Sequence, residues 1–275
     1  MLASGTSDPS ASALFLSPHF DDVPLSCGGT VALFGSLGID TIILTLFGGE
    51  PRGPLTPFAR QQHRWRGLDD TTVIRIRRNE ELAAAAVLGA TARWLDYPDA
   101  IYRDARYTSD DELFGPIHPD DAGLLEELAD EVHAFLEALP KPVTVFAPLA
   151  IGNHVDHQLA RAVGQRLADR GFVVWCYEDL PYAATVSGRA TLARFALHAP
   201  SPPWIVPLTE ELFERRIAAI DQYRSQLAFI FRDLGDVEAT LRRYAAELGE
   251  GGLTERFWSL NESDRKVPFR SSTGP

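Results

Sequence analysis

Cysteine is scarce in this chain. There are two in 275 residues, Cys27 in a Ser-Cys-Gly-Gly turn and Cys176 in an apolar run. Far apart and unaccompanied, they exclude a disulfide framework and a cysteine-based zinc site, and they suit a reducing compartment. Positive charge is short as well: 26 Lys and Arg against 38 Asp and Glu leave a formal charge of −12. Such a surface is a poor non-specific ligand for phosphate backbones or anionic lipid, so no nucleic-acid partner is expected. No apolar stretch approaches the ~20 residues of a membrane-spanning helix. The first dozen residues lack the basic and apolar regions of a secretory signal, and a cytoplasmic protein is the expectation. Nor does a Gly-x-Gly-x-x-Gly follow the first apolar run, which argues against a dinucleotide-binding module.

What the chain does contain is ordinary globular material, 45% hydrophobic and 23% charged, enough for one α/β domain with a substantial core. The apolar run 13–16 reads as a first strand, stopped by Ser17-Pro18. Residues 30–37 read as a buried helix entered through Gly28-Gly29, and the β-branched run 39–47 as a second strand. Strand, helix and strand in that order make a parallel, right-handed unit. Further strands are expected at 91–95, 143–146 and 172–177, with short ones at 194–198 and 205–206. Helices are expected at 75–88, 124–139, 158–169, 210–222, 227–231 and 237–248. The long polar segments 48–71 and 101–120 read as functional loops, the first with one helical turn. No repeat or linker divides the chain. The pattern predicts a single Rossmann-like α/β domain over 13–260, a mostly parallel sheet flanked by helices, with flexible ends at 1–12 and 261–275.

Two short runs carry the chemistry: Pro18-His19-Phe20-Asp21-Asp22 after the first strand and His154-Val155-Asp156-His157 after the fourth. In parallel α/β sheets the binding crevice lies beyond the carboxyl ends of the strands. Asp96 and Asp99 follow the third strand and Glu178 and Asp179 the fifth, so four strand ends bring ionisable groups to one edge. His19 and Asp22, three residues apart, can be aimed at one point by a strand-to-helix turn, and His157 can supply a third ligand. Two imidazoles and a carboxylate suit hydrolytic zinc, and iron or manganese would also fit. Asp21 is then placed to act as general base. His154, paired with Asp156, can stay protonated and stabilise an oxyanion or protonate a leaving amine.

The two runs together resemble the LmbE-like or PIG-L family of zinc-dependent N-deacetylases. That family includes the GlcNAc-phosphatidylinositol, mycothiol-pathway and bacillithiol-pathway enzymes, and it carries His-Pro-Asp-Asp-Glu-like and His-Pro-Asp-His motifs. The resemblance spans residues 14–226 and implies a zinc site of His19, Asp22 and His157, with Asp21 as base and His154, tuned by Asp156, at the oxyanion. Arg77-Arg78-Asn79-Glu80-Glu81 resembles the family's Arg-x-x-Glu helix, which would bring Arg78 or Arg77 to substrate. Leu95-Asp96-Tyr97-Pro98-Asp99 resembles a sugar-contacting segment, with Asp99 the better match and Asp96 the second. Tyr223-Arg224-Ser225-Gln226 resembles a Tyr-x-Ser-Gln motif that would add Gln226, and Glu178 would touch substrate or a ligand histidine. Phe20 and Val155 stand where the family has proline, and Val23 where glutamate is common; none of these is a ligand position.

The implied activity is metal-dependent hydrolysis of an amide, removing an acetyl group from an N-acetylglucosamine-type sugar or its conjugate. An amidase acting on a thiol conjugate or an acylated natural product would use the same residues. The expected partner is that small-molecule substrate, with homo-oligomerisation left open.

Overall fold

Buried apolar runs dictate the sheet. The computed structural model describes residues 11–249 and 251–261. Its strands are β1 (Ser12–Ser17), β2 (Asp40–Thr45), β3 (Thr91–Trp94), β4 (Val143–Pro148), β5 (Val173–Tyr177), β6 (Trp204–Pro207) and β7 (Thr254–Ser259). They form one sheet in the order β3-β2-β1-β4-β5-β7-β6. The pairs from β3 across to β5 are parallel, and β7 runs antiparallel to both β5 and β6. Every residue of β1 and β4 is buried, because helices cover both faces of a parallel sheet and leave no strand face for polar alternation.

The helices are α1 (Asp22–Ser36), α2 (Pro57–Trp65), α3 (Val73–Leu88), α4 (Asp110–Leu113), α5 (Leu124–Glu137), α6 (Val155–Asp169), α7 (Val186–His198), α8 (Glu210–Ile220), α9 (Leu227–Ile230) and α10 (Val237–Leu248). Helix α3 stops at Gly89, whose φ of 75° is the left-handed C-cap that glycine adopts without a Cβ penalty. Apolar side chains of β1, β2, β4 and β5 interlock with α1, α3, α5 and α6 in one continuous core. A smaller cluster under the loops joins Val73 and Ile74 to Ile101, Tyr107, Leu113 and Val155. Among the described residues, no helix is long and apolar enough to cross a membrane.

The Rossmann-like arrangement stands, with four corrections. Residues 194–198, expected as a strand, close helix α7, which is capped by Thr185 accepting from the Gly188 amide. The segment 48–71 holds more than a single turn, since α2 has nine residues with Thr56 as its N-cap and Pro57 in its first turn. Strand β7 was not foreseen. The expected flexible ends lie outside the described residues except at their inner edges, where Ser12 opens β1 and Asn261 bonds the backbone of Val174 and Phe172.

Candidate metal centre and active-site cavity

The first run sits on the turn between β1 and α1. Ser17 Oγ donates to the His19 carbonyl at 2.6 Å, and the His19 amide donates to Asp22 Oδ2 at 2.8 Å. Between them Asp21 has φ of 104°, a conformation costly for a residue with a Cβ. Its amide is held by buried Glu81 Oε2 at 3.3 Å, and Tyr223 donates to the same carboxylate oxygen at 2.6 Å. Burial raises the Glu81 carboxyl to about 7 despite the Tyr223 hydrogen bond. The strained Asp21 backbone is thus tied to α3 and, through Tyr223, to the segment after α8.

The second run follows β4. Asn153 has φ of 61°, a left-handed conformation that asparagine tolerates better than most residues, and it turns the chain into α6. His154 caps that helix: its Nδ1 accepts from the Asp156 amide at 3.1 Å. His157 follows one turn later.

The runs meet. His19 Nδ1 lies 3.3 Å and His157 Nε2 3.4 Å from Asp22 Oδ2, all three side chains being buried. These donor atoms fall within 4.8 Å of one another, and His19 also belongs to a second such group with Asp99, His154 and Asp156. Each ligand-type histidine is held from behind by a carboxylate. Asp156 Oδ2 sits 3.0 Å from His19 Nε2, and Asp179 Oδ1 sits 2.7 Å from His157 Nδ1. Both imidazoles therefore present their remaining nitrogen to Asp22, the arrangement that fixes tautomer and ring orientation at metal sites. Two imidazole nitrogens and a carboxylate oxygen converging in a buried pocket fit a zinc-type ion.

The charges agree with that fit. Burial alone would raise the Asp22 carboxyl, but His157 and His19 outweigh it and hold it at about 2. Asp156 is likewise held well down by Arg103 and His19 against its burial. Burial would lower both His19 and His157, yet the facing carboxylates, Asp99 foremost for His19 and Asp22 for His157, raise them. Without an ion these histidines share protons with carboxylates, and a cation would replace those protons. Asp21 differs from its neighbour: burial and the Asp22 charge push it up to about 8, with Arg77 at 3.8 Å opposing them.

Beside this cluster opens a cavity of about 390 Å³. Its polar wall carries Asp21, Asp99, Arg77, His154 and Gln226, and its outer wall is largely apolar, with Leu113, Phe114, Tyr182, Phe229, Ile230 and Leu234. At the mouth the guanidinium groups of Arg66 and Arg232 lie over the Phe229 ring at 4.0 and 4.1 Å, and Trp65 stacks on the same ring at 5.5 Å.

A family model described as GlcNAc-PI de-N-acetylase, PIG-L, matches residues 14–168, over half of the chain. The chain belongs to the PIG-L family. By sequence it is similar to the 2'-N-acetylparomamine deacetylase of Niallia circulans, 32% identical over 188 residues covering 62% of this chain and 66% of that protein. The Streptomyces fradiae protein of the same description is 37% identical over 177 residues, 62% of this chain and 57% of that one. The chain thus spans just under two thirds, and somewhat over half, of the lengths of these relatives. In structure it is similar to the zinc-inhibited form of the teicoplanin deacetylase Orf2, at 27% identity, TM-score 0.78, and coverage of 93% of this chain and 100% of that one.

Within this PIG-L family chain, His19, Asp21, Asp22, Asp99, His154, Asp156, His157 and Gln226 come together as the sequence suggested. Three other expected residues do not reach the cavity. Arg78 turns aside to the Gly48 carbonyl at 2.8 Å and lies over the Trp94 ring, whereas its neighbour Arg77 lines the cavity. Adjacent residues on a helix point about 100° apart, so only one of the pair can face in. Asp96 is 81% exposed, its side chain 3.9 Å from Arg52 on the outer surface. Glu178 is buried away from the site, bonded to Tyr244, Arg256 and Trp258 Nε1 at 2.5, 2.5 and 2.8 Å. The residue that holds His157 is the next one, Asp179.

One electrostatic expectation also changes. The Asp156 carboxylate is bonded to His19 and Arg103, and although it also lies close to His154 and would raise it, burial followed by the His19 charge drives the His154 pKa well below its ordinary value. His154 is therefore a neutral imidazole. With Nδ1 accepting from an amide, its proton sits on Nε2. The departures from the family motifs are accommodated by packing: Phe20 lies edge-on to Trp94 at 6.1 Å, and Val155 is fully buried in the smaller apolar cluster. The sequence reading also missed Arg103, which links Asp156 to buried Asp121. A lone arginine in a polar loop carries no spacing signal that would have found it.

Proposed function

We propose that this protein is a zinc-dependent amide hydrolase that removes an acetyl group from an N-acylated amino sugar within a larger conjugate. The observation that carries this reading is the His19–Asp22–His157 cluster, braced by Asp156 and Asp179, with Asp21 and His154 lining the one cavity beside it. The deacetylase relatives support the reaction class.

When bound, the zinc ion would supply Lewis acidity to the acyl carbonyl and to water. The residues do the rest. The Asp21 carboxylate takes a proton from water as the water oxygen attacks the carbonyl carbon. His154 donates from Nε2–H to the oxygen that gains negative charge, and its Nδ1 bond to the Asp156 amide fixes the ring for that task. As the C–N bond breaks, the proton held on Asp21 passes to the departing nitrogen. A carboxylic acid and a free amine are released. Arg77, 3.8 Å from Asp21 and 3.7 Å from Asp99, orients both carboxylates along the cavity wall.

The apolar outer wall favours a conjugate over a free monosaccharide, because a lone sugar would leave Phe229, Ile230 and Leu234 uncovered. An acylated natural product is the substrate type that fits both walls. The test is amine release by the zinc-loaded enzyme from 2'-N-acetylparomamine, teicoplanin-type N-acyl glucosaminyl conjugates and N-acyl amino acids. Release from the sugar conjugates is expected. Release confined to the amino-acid compounds, or none from any amide by metal-replete protein, would overturn the reading.

A further inference from the structure

Past Asp99 the cavity wall carries two titratable side chains, Tyr102 and His63, that neither metal binding nor proton transfer uses, with Asp70 behind them. Buried His63, on α2, meets Asp70 Oδ1 through Nδ1 at 2.7 Å and the Tyr102 hydroxyl through Nε2 at 2.6 Å. Tyr102 and His63 line the cavity, while Asp70 is half-exposed at the far end. Tyr102 lies on a short 3-10 turn, residues Ala100–Tyr102, capped by Asp99, and its amide donates to the Asp99 carbonyl at 2.8 Å. Asp99 in turn lies 3.8 Å from His19. The order outward from the metal cluster is Asp99, Tyr102, His63, Asp70.

The direction of the hydrogen bonds in this row follows from chemistry. A carboxylate only accepts, so His63 Nδ1 carries the proton that faces Asp70, and when the ring carries that one proton its lone pair is on Nε2. Tyr102 is therefore the donor to His63. Burial raises the Tyr102 pKa further, so the phenol keeps its proton. That one proton is committed to His63, and the phenolic oxygen has only lone pairs left for the cavity. An unbraced tyrosine hydroxyl can rotate between donating and accepting; this one is set to accept.

We propose that Tyr102 contacts the substrate as a fixed hydrogen-bond acceptor, held by His63 and Asp70, and selects a free hydroxyl on the sugar ring that bears the acyl-amino group. The class of ligand rests on the deacetylase reading above. Asp99 and Tyr102 offer two acceptors in succession along one wall, and Arg77, 3.7 Å from Asp99, offers donors beside them. Neighbouring ring hydroxyls, each able to donate and accept, match that pattern. A ring methylated or acylated at the oxygen opposite Tyr102 would set lone pair against lone pair. His63 and Asp70 are positioning residues in this scheme, and Tyr102 is the contact.

Calorimetric titration of the zinc-loaded enzyme with paromamine and with monodeoxy and mono-O-methyl analogues of its glucosamine ring tests the assignment without needing turnover. One monodeoxy analogue should bind about five- to ten-fold more weakly than paromamine, the size of one neutral hydrogen bond. Tyr102→Phe should bind paromamine and that analogue alike, at the weaker level. His63→Gln places an amide oxygen near the Nε2 position and should keep the discrimination. His63→Asn reaches only toward Asp70 and should lose it. In hydrolysis of 2'-N-acetylparomamine the loss should fall on KM, with kcat kept. Equal weakening by Tyr102→Phe for every analogue would overturn the assignment, as would a wild-type enzyme indifferent to all ring hydroxyls or unable to bind paromamine. Tyr102-dependent discrimination without hydrolysis of any N-acyl sugar would sink the deacetylase reading and leave Tyr102 standing. Hydrolysis without that discrimination would do the reverse.

Discussion

The two ends of the cavity are built on different principles. At the inner end the metal-site and proton-transfer side chains stand on a strand-to-helix turn or the first turn of a helix, are buried, and are held by a second group. His19 has Asp156, His157 has Asp179, and Asp21 has Glu81 at its amide. At the outer end the walls come from the loop regions after β2 and β3 and from α9, and contact is made by Phe229, Ile230, Leu113 and the Arg66–Phe229–Arg232 stack. Reacting groups need positions fixed to a fraction of an ångström, which strand ends supply. The outer surface has only to fit a substrate's remote part, and loops can vary without disturbing the sheet. Activity should therefore be fragile at the inner end and graded at the outer one.

The largest effects should come from the inner carboxylates, and they should be separable. Asp22→Ala removes the oxygen shared by both imidazoles, and loss of bound zinc together with hydrolysis is expected by metal analysis and amine-release assay. Asp21→Asn should keep zinc at full stoichiometry while kcat falls about 10²- to 10⁴-fold, the usual contribution of a positioned base. If zinc is lost from Asp21→Asn as from Asp22→Ala, the division between ligand and base fails.

The adjacent acids Glu178 and Asp179 sharpen the same contrast. Asp179→Ala should weaken zinc binding about 10- to 100-fold, as expected when the group behind a ligand histidine is removed. Glu178→Gln should leave zinc affinity unchanged and destabilise the fold by about 2 kcal/mol. It weakens a buried carboxylate bonded to Tyr244, Arg256 and Trp258. Competition with a chromogenic chelator reads the first effect, and thermal unfolding reads the second.

These two residues also show where sequence reasoning stops. The inner end was legible because strands buried on both faces read as continuous apolar runs, and because histidines and aspartates at short spacing follow two of them. The choice between Glu178 and Asp179 depended on β7, which was not legible. In the register that pairs Tyr177 with Phe257, the next step out sets Glu178 beside Arg256. Strand β7 hid itself because Glu255 and Arg256 break its apolar pattern. Glu255 is buried for a reason visible only in three dimensions: it accepts from the amides of Gly29 and Thr30 and pairs with Arg216. Likewise the pair Arg77-Arg78 gave no phase for the helix, and the inward choice was settled by packing against Phe20 and Trp94.

At the outer end, effects should be smaller and confined to binding. Phe229→Ala removes the ring that both guanidinium groups contact and opens the mouth beside Trp65. KM for a bulky glycoconjugate should rise several-fold, by about 1 kcal/mol of lost contact, with kcat retained and zinc unchanged. A smaller N-acetyl sugar that does not reach Phe229 should show no change, and a matching loss for both substrates would mean the stack acts on the inner end instead. Asp96→Ala marks the bottom of the scale. Its carboxylate is exposed outside the cavity, 3.9 Å from an equally solvent-facing Arg52. Although it follows β3 as Asp99 does, KM and kcat should stay within two-fold of the parent. A large KM increase in that variant would show that substrate reaches beyond the Arg52 face, and the cavity boundary drawn at Asp99 would have to move outward.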